Sequence, residues 1–165
     1  MNMSAIRPAR TEDAGAIAAI YNHYIAHSVA TFETELVTTQ VMARRMTETA
    51  EAGLPWLIAQ ADGAPAGYTY ASKWKGRQAY RYAVEVSVYL ASGAMRRGWG
   101  TALYSELLAR LRSLSLHTAI GGVTLPNPAS VALHENFGFE KVAHFREVGF
   151  KFGQWLDVAY WQRSL

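Results

Sequence analysis

Tyr82–Thr101 reads YAVEVSVYLASGAMRRGWGT, and the rest of the chain can be placed around it. Val84, Val86, Val88 and Leu90 alternate with Glu85, Ser87 and Tyr89. That period of two predicts a strand with one apolar face and one face carrying a carboxylate, a hydroxyl and a phenol. A turn at Ala91-Ser92-Gly93 leads into Arg96-Arg97-Gly98-Trp99-Gly100. A helix is expected from about Thr101, with Leu103, Leu107, Leu111 and Leu114 at helical spacing. Strand, basic glycine loop and helix start together make an anion-binding geometry. Glycines let the backbone come close to a phosphate, and the unpaired N–H groups of a helix start point at it. Turn glycines alone would give the same R-x-G-x-G pattern. The carboxylate-bearing strand that feeds the loop is what suggests a group-transfer site.

The 165 residues suffice for one domain with a substantial core. Half of them are hydrophobic and 18% are charged, as in ordinary folded proteins. The formal charge of +3 and pI near 9.3 come without a lysine-rich tail. A local basic pocket for an acidic small molecule accounts for that excess better than nucleic-acid binding does. The absence of cysteine excludes disulfides, thiolate metal sites and a cysteine nucleophile. MNMSAIRPAR lacks the apolar stretch of a signal peptide, and no apolar run reaches membrane-spanning length. A soluble cytoplasmic protein without nucleic-acid or membrane partners is expected.

In chain order, Ala5 to Pro8 reads as a first strand, and Thr11 as the cap of a helix bearing Ile17, Ile20, Tyr21, Tyr24 and Ile25 on one face. His23 and His27 lie one turn apart, but Tyr24 stands where H-E-x-x-H would need glutamate, so no metal is expected. Ser28 to Glu35 is a loop, and its Phe32 fits either the core or the lining of an acceptor pocket. Thr38 or Thr39 caps a second helix that Gly53 and Pro55 end. Trp56 to Ala61 and Ala66 to Ala71 form a hairpin around Asp62-Gly63, lengthened by Ala64-Pro65. Lys73-Trp74-Lys75-Gly76-Arg77 follows as a basic aromatic loop, either a solvated connection or a clamp for a substrate anion. Ala119 to Thr124 is a strand in which Gly121-Gly122 suggests a bulge or a close approach of another backbone. Asn127 and Pro128 open a short helix that Gly138 closes. Phe139 to Phe145 and Leu156 to Gln162 are the last strands. The order β-α-α-β-β-β-α-β-α-β-β predicts one α/β domain spanning residues 1–165 with a mixed sheet.

Four segments carry a resemblance: WKGRQAY at Trp74–Tyr80, VEVSVY at Val84–Tyr89, LPNPASVALHE at Leu125–Glu135 and GQWLDVAYWQR at Gly153–Arg163. Together with the element order they resemble the GCN5-related N-acetyltransferase (GNAT) superfamily and, within it, the phosphinothricin N-acetyltransferase family. His134 stands where the wider superfamily has tyrosine, which fits that narrower family, and Met95 stands where its phosphate loop often has Gln or Arg.

The resemblance implies a GNAT fold with a mostly antiparallel sheet flanked by helices. It also implies acetyl-CoA as co-substrate, a small amine acceptor of the phosphinothricin or methionine sulfoximine type, no metal, and a homodimer. Glu85 becomes the candidate base, and His134 an acid or an assistant to deprotonation, with Tyr104 in reserve. Main-chain N–H groups at Val88, Tyr89 and Leu90 would polarise the thioester carbonyl. Arg96, Arg97, Gly98, Trp99, Gly100 and Thr101 would hold the pyrophosphate, and Asn127 the pantetheine arm. Phe32, Lys75, Gly76, Arg77, Tyr80, Val86 and Ser87, with Glu85, are the acceptor-site candidates. Acetylation of a protein N-terminus or other amine, and non-catalytic binding of acetyl-CoA, are the competing readings.

Overall fold

The structure, a computed structural model, describes residues 6–165. Its elements are β1 (Ile6–Pro8), α1 (Ala14–His27), α2 (Thr39–Glu51), β2 (Trp56–Ala61), β3 (Ala64–Lys73) and β4 (Ala83–Leu90), then α3 (Trp99–Ser113), β5 (Thr118–Leu125), α4 (Pro128–Asn136), β6 (Glu140–Lys151) and β7 (Gln154–Ser164). Ala5, expected to start the first strand, lies outside the described residues. The strands form one sheet in the order β1-β2-β3-β4-β5-β7-β6. Neighbours are antiparallel except β4 and β5, which run parallel. The α/β class and mixed sheet agree with the sequence reading.

The local signals explain most boundaries. The Thr38 hydroxyl accepts from Val41 N at 3.2 Å, and Asn127 Oδ1 from Ser130 N at 3.1 Å, so each satisfies an N–H that its helix start leaves open. Thr11 does not cap α1. It begins a short 3₁₀ turn, and Asp13 organises the entry by accepting from Arg10 N at 2.7 Å while forming an ion pair with Arg7 at 2.7 Å. The β2–β3 connection is the two-residue turn Asp62-Gly63, both with positive φ, so Ala64-Pro65 already belongs to β3. A register shift beside it absorbs the proline. Gly149 likewise lies within β6, and the β6–β7 turn is Phe152-Gly153.

Side-chain alternation along the strands makes two cores. Leu57, Val84, Val86, Ala119, Val123 and Trp161 pack with Leu103, Leu107 and Leu111 of α3 on one face. Trp56, Ile58 and Tyr68 pack with Ile17, Tyr21 and Met42 of α1 and α2 on the other. Truncating a fully buried side chain such as Leu107 would cost about 2–5 kcal/mol. Because α1 and α2 pack on β2, β3 and β4, the same face of β5, β7 and β6 opens onto a cleft.

The parallel pair sets the rest of the geometry. β4 and β5 each have eight residues, yet among the described residues they pair only at Ala83–Thr118, Val84–Ala119 and Glu85–Ile120. Past Glu85 the two strands part into a wedge.

Candidate active site

The cleft holds about 730 Å³. One wall is the loop Ala30–Phe32, and the floor is Glu85, Ser87 and Tyr89 of β4 with Ile120, Gly122 and Thr124 of β5. Val142, Phe145 and Val148 of β6 and Tyr160 of β7 close the far side. The strand period placed Glu85, Ser87 and Tyr89 together, and the helix cover decided that their face stays open. Gly122 makes room for the carboxylate, since a Cβ there would lie 3.3 Å from Glu85 Oε1 and 3.0 Å from the Tyr160 ring. Among the described residues no hydrogen bond or ion pair ties Glu85 down. Burial raises its pKa above the ordinary carboxylate value, and the field of Lys75 opposes that rise. A carboxylate without a fixed partner, at the end of the paired part of β4, is suited to accept a proton from a bound amine.

The opposite face of the same strands is sealed. His134 of α4 is 2% exposed and lies over Gly121, where any Cβ would overlap the imidazole. Its Nδ1 is 2.7 Å from Ser130 O, and a carbonyl only accepts, so Nδ1 carries the proton. Burial lowers the histidine pKa, which keeps the ring neutral and makes Nε2 an acceptor. The Tyr104 hydroxyl, 2.9 Å away, then donates to Nε2. It also lies 3.4 Å from Val86 O, at the level where β4 has left β5.

Beyond the wedge stands the basic loop. Gly98 has φ +83 and occupies the position just before α3, a conformation that favours glycine. α3 therefore begins at Trp99, two residues ahead of the expected Thr101. Its first intrahelical bond runs from Ala102 N to Gly98 O, so the N–H groups of Trp99, Gly100 and Thr101 precede the helical ladder. Arg96 and Arg97 are exposed beside them. This is a cradle that fits a pyrophosphate: N–H donors at a positive helix end with cations at the rim.

The profile of the acetyltransferase (GNAT) domain matches residues 6–160 of this chain. The chain belongs to the GNAT acetyltransferases. Like its relatives, it is an acyltransferase. It is 39% identical over 159 residues to a phosphinothricin N-acetyltransferase of Streptomyces viridochromogenes, covering 96% of this chain and 86% of that one. It is 34% identical over 160 residues to an L-methionine sulfoximine/L-methionine sulfone acetyltransferase of Salmonella typhimurium, covering 97% and 94%. The crystal structure of a phosphinothricin acetyltransferase from Sinorhizobium meliloti in complex with acetyl-CoA superposes with a TM-score of 0.96 at 38% identity, over 99% of this chain and 89% of that one.

Within this GNAT acetyltransferase the sequence candidates separate. Phe32, Lys75, Glu85 and Ser87 meet in the cleft. Val86 does not: its side chain is 3% exposed in the α3 core, because adjacent strand residues face opposite ways. Gly76 and Arg77 also lie off the cleft, in a basic hollow of about 290 Å³ with Lys73 and Arg81. Tyr80 is exposed on the short turn that follows. Lys75 lines both the cleft and this hollow, and Arg77 lines the hollow alone. Tyr89 presents its ring to the cleft, against Tyr21 and Tyr24, while Val88 and Leu90 pack against the α3 core. Leu90 N already has the Tyr24 hydroxyl at 3.3 Å. The close approach at Gly121-Gly122 comes from side chains, and β5–β7 pairing runs through it without a bulge. Sequence reading missed Tyr70 and Tyr160. Period-two spacing from Ser72 and from Val158 would have found them once the open face was known. Among the described residues no group of three or more His, Asp or Glu side chains could hold a metal ion.

Proposed function

We propose that the chain transfers the acetyl group of acetyl-CoA directly to the amine of a small amino-acid-like acceptor of the phosphinothricin, methionine sulfoximine or methionine sulfone type. The observation that carries this is the partnerless Glu85 carboxylate, its pKa raised by burial, on the open face where β4 leaves β5. The relatives' activities on such acceptors support it.

An ammonium acceptor must lose a proton before it attacks, and Glu85 takes that proton directly or through one water. Acetyl-CoA supplies the acyl group as an activated thioester. The Val88 N–H on the parted edge of β4 orients and polarises its carbonyl, whereas the Tyr89 N–H points the other way, into the pairing with β3. Gly98, Trp99, Gly100 and Thr101 N–H groups hold the pyrophosphate with Arg96 and Arg97, and Asn127 stands by the pantetheine arm. Lys75 attracts the acceptor carboxylate. His134, kept neutral by burial and engaged by Ser130 and Tyr104, acts through Tyr104 at the base of the wedge and assists rather than leads.

The acceptor screen is decisive. With acetyl-CoA and free-thiol detection, phosphinothricin, methionine sulfoximine and methionine sulfone should be acetylated, and spermidine and an N-terminal peptide should not. Efficient turnover of the peptide alone would transfer the function to proteins. A homodimer belongs to the same reading, supported by the exposed Val142, Phe145, Val148, Phe150 and Trp155 of the β6–β7 hairpin. Light scattering at the monomer mass would remove it.

A further inference from the structure

The loop Ser28–Glu33 spans from the helical half of the molecule to the tip of the β6–β7 hairpin. Its tail is tied to the helices. Glu33 accepts from Arg45 of α2 at 2.6 and 2.9 Å and from the Tyr21 hydroxyl of α1, and Tyr21 lies 2.7 Å from Thr31 Oγ1. The head of the loop is tied to Lys151, the last residue of β6, which is 3% exposed. Lys151 Nζ donates to Ser28 O at 2.7 Å and to Thr31 O at 2.8 Å, and the Phe152 ring centroid lies 4.9 Å from it. A buried amine is costly unless its donors are used, and buried carbonyls are costly when bare. Amine and carbonyls satisfy each other, so Lys151 joins the two ends of a bend that Ser28 Oγ and Thr31 Oγ1 also brace locally, by accepting from Ala30 N at 3.0 Å and Glu33 N at 3.3 Å. Burial lowers the lysine pKa, and the nearby Glu33 carboxylate opposes that.

Phe32 lies between these ties. It is 40% exposed, lines the cleft, and rests on Gly149 of β6 so closely that a Cβ there would overlap its ring. Ala30 and Thr31 line the cleft beside it.

We propose that Lys151 is a latch: by holding the Ser28 and Thr31 carbonyls it fixes the Phe32 wall against β6 and sets the width of the acceptor cleft. It is a positioning residue for the acceptor and touches neither acetyl-CoA nor the reacting amine. This rests on reading the cleft as the acceptor site.

The test compares wild type with Lys151→Met and with Gly149→Ala, which displaces Phe32 while leaving the charges alone. The readouts are steady-state kinetics on methionine sulfone, calorimetry of acetyl-CoA, and amide hydrogen exchange. Loss of charge-assisted bonds of this kind should raise the acceptor KM about tenfold or more, with kcat held within about threefold. Exchange of the Ala30–Glu33 amides should accelerate about tenfold or more while the β5 and β7 amides stay protected. Gly149→Ala should raise KM in the same direction, and acetyl-CoA affinity should not move in either variant. An unmoved KM in both variants, or parallel loss of kcat, acetyl-CoA affinity and sheet protection, would overturn the latch. If wild type turns over no acceptor but Lys151→Met still frees the loop amides, the latch stands and the acceptor reading beneath it falls.

Discussion

Gly121 and Gly122 are neighbours on β5, and they serve opposite faces of the sheet. Gly122 opens the cleft beside Glu85, and Gly121 admits His134 into the α3 core. The two titratable groups so accommodated differ in every respect that matters to proton transfer. Glu85 faces the open cleft without a partner, and its pKa is raised. His134 is closed in by Ser130 and Tyr104, and its pKa is lowered. Burial is the cause in both cases, and it disfavours the charged form each time. What differs is satisfaction: one group has a use for an incoming proton, and the other has both nitrogens engaged. This contrast supports the proposal that primary proton transfer belongs to the cleft and support to the sealed face.

Glu85→Gln should break the comparison most sharply. It should lower kcat by about two to four orders of magnitude while acetyl-CoA affinity holds. The melting temperature should not fall, because the variant removes a half-buried charge that has no partner. Near-normal turnover at neutral pH would end the assignment of Glu85 as the base.

The glycine pair comes next. Gly121→Ala forces a methyl into the imidazole, and overpacking of this kind costs about 1–3 kcal/mol in stability. Gly122→Ala meets a ring edge and a carboxylate oxygen at 3.0 and 3.3 Å, which can yield toward the cleft. It should cost less stability but more turnover. Thermal denaturation and kcat measured together on both variants decide, and equal effects on both axes would mean that the faces are not functionally distinct.

Tyr104→Phe should act more gently. It deprives His134 Nε2 of its donor and should cost about 1–3 kcal/mol in stability, as for an orphaned buried acceptor. The fall in kcat should be smaller than for Glu85→Gln. A loss as large as that of Glu85→Gln would place the Tyr104–His134 pair in the chemistry itself.

How much of this was legible beforehand follows from the periods involved. The alternation of β4 put Glu85, Ser87 and Tyr89 on one face, and Asn127-Pro128 announced α4, because both signals are local. Which face would be covered by helices was not local, so Tyr70 and Tyr160 stayed hidden. Lys75 and Arg77 looked equivalent in sequence because a loop has no period; its bend leaves Lys75 on both the cleft and the neighbouring hollow, and Arg77 on the hollow alone. Lys151 was invisible for another reason. Its partners Ser28 and Thr31 lie more than a hundred residues away, and a lone lysine before a turn reads as solvated. The early start of α3 depends on the left-handed conformation of Gly98, which composition permits but does not demand.

The pH profile offers the smallest and most discriminating shift. A base must be unprotonated to act, so kcat/KM should fall as pH drops through the Glu85 pKa. Burial lifts that limb above the ordinary carboxylate range, while Lys75 holds it down. Lys75→Met removes the restraint, so the limb should move to higher pH, and the acceptor KM should rise as its carboxylate loses a cation. Tyr104→Phe should leave the limb where it is, because the group that titrates lies on the other face. The sealed histidine makes the contrary forecast. Were His134 the base, loss of the Tyr104 hydroxyl would alter its surroundings directly and move the limb, and Lys75→Met would scarcely touch it. Profiles of the two variants against wild type, taken with methionine sulfone at saturating acetyl-CoA, separate these cases: a limb that follows Tyr104 and ignores Lys75 would transfer the base from the cleft to the sealed face.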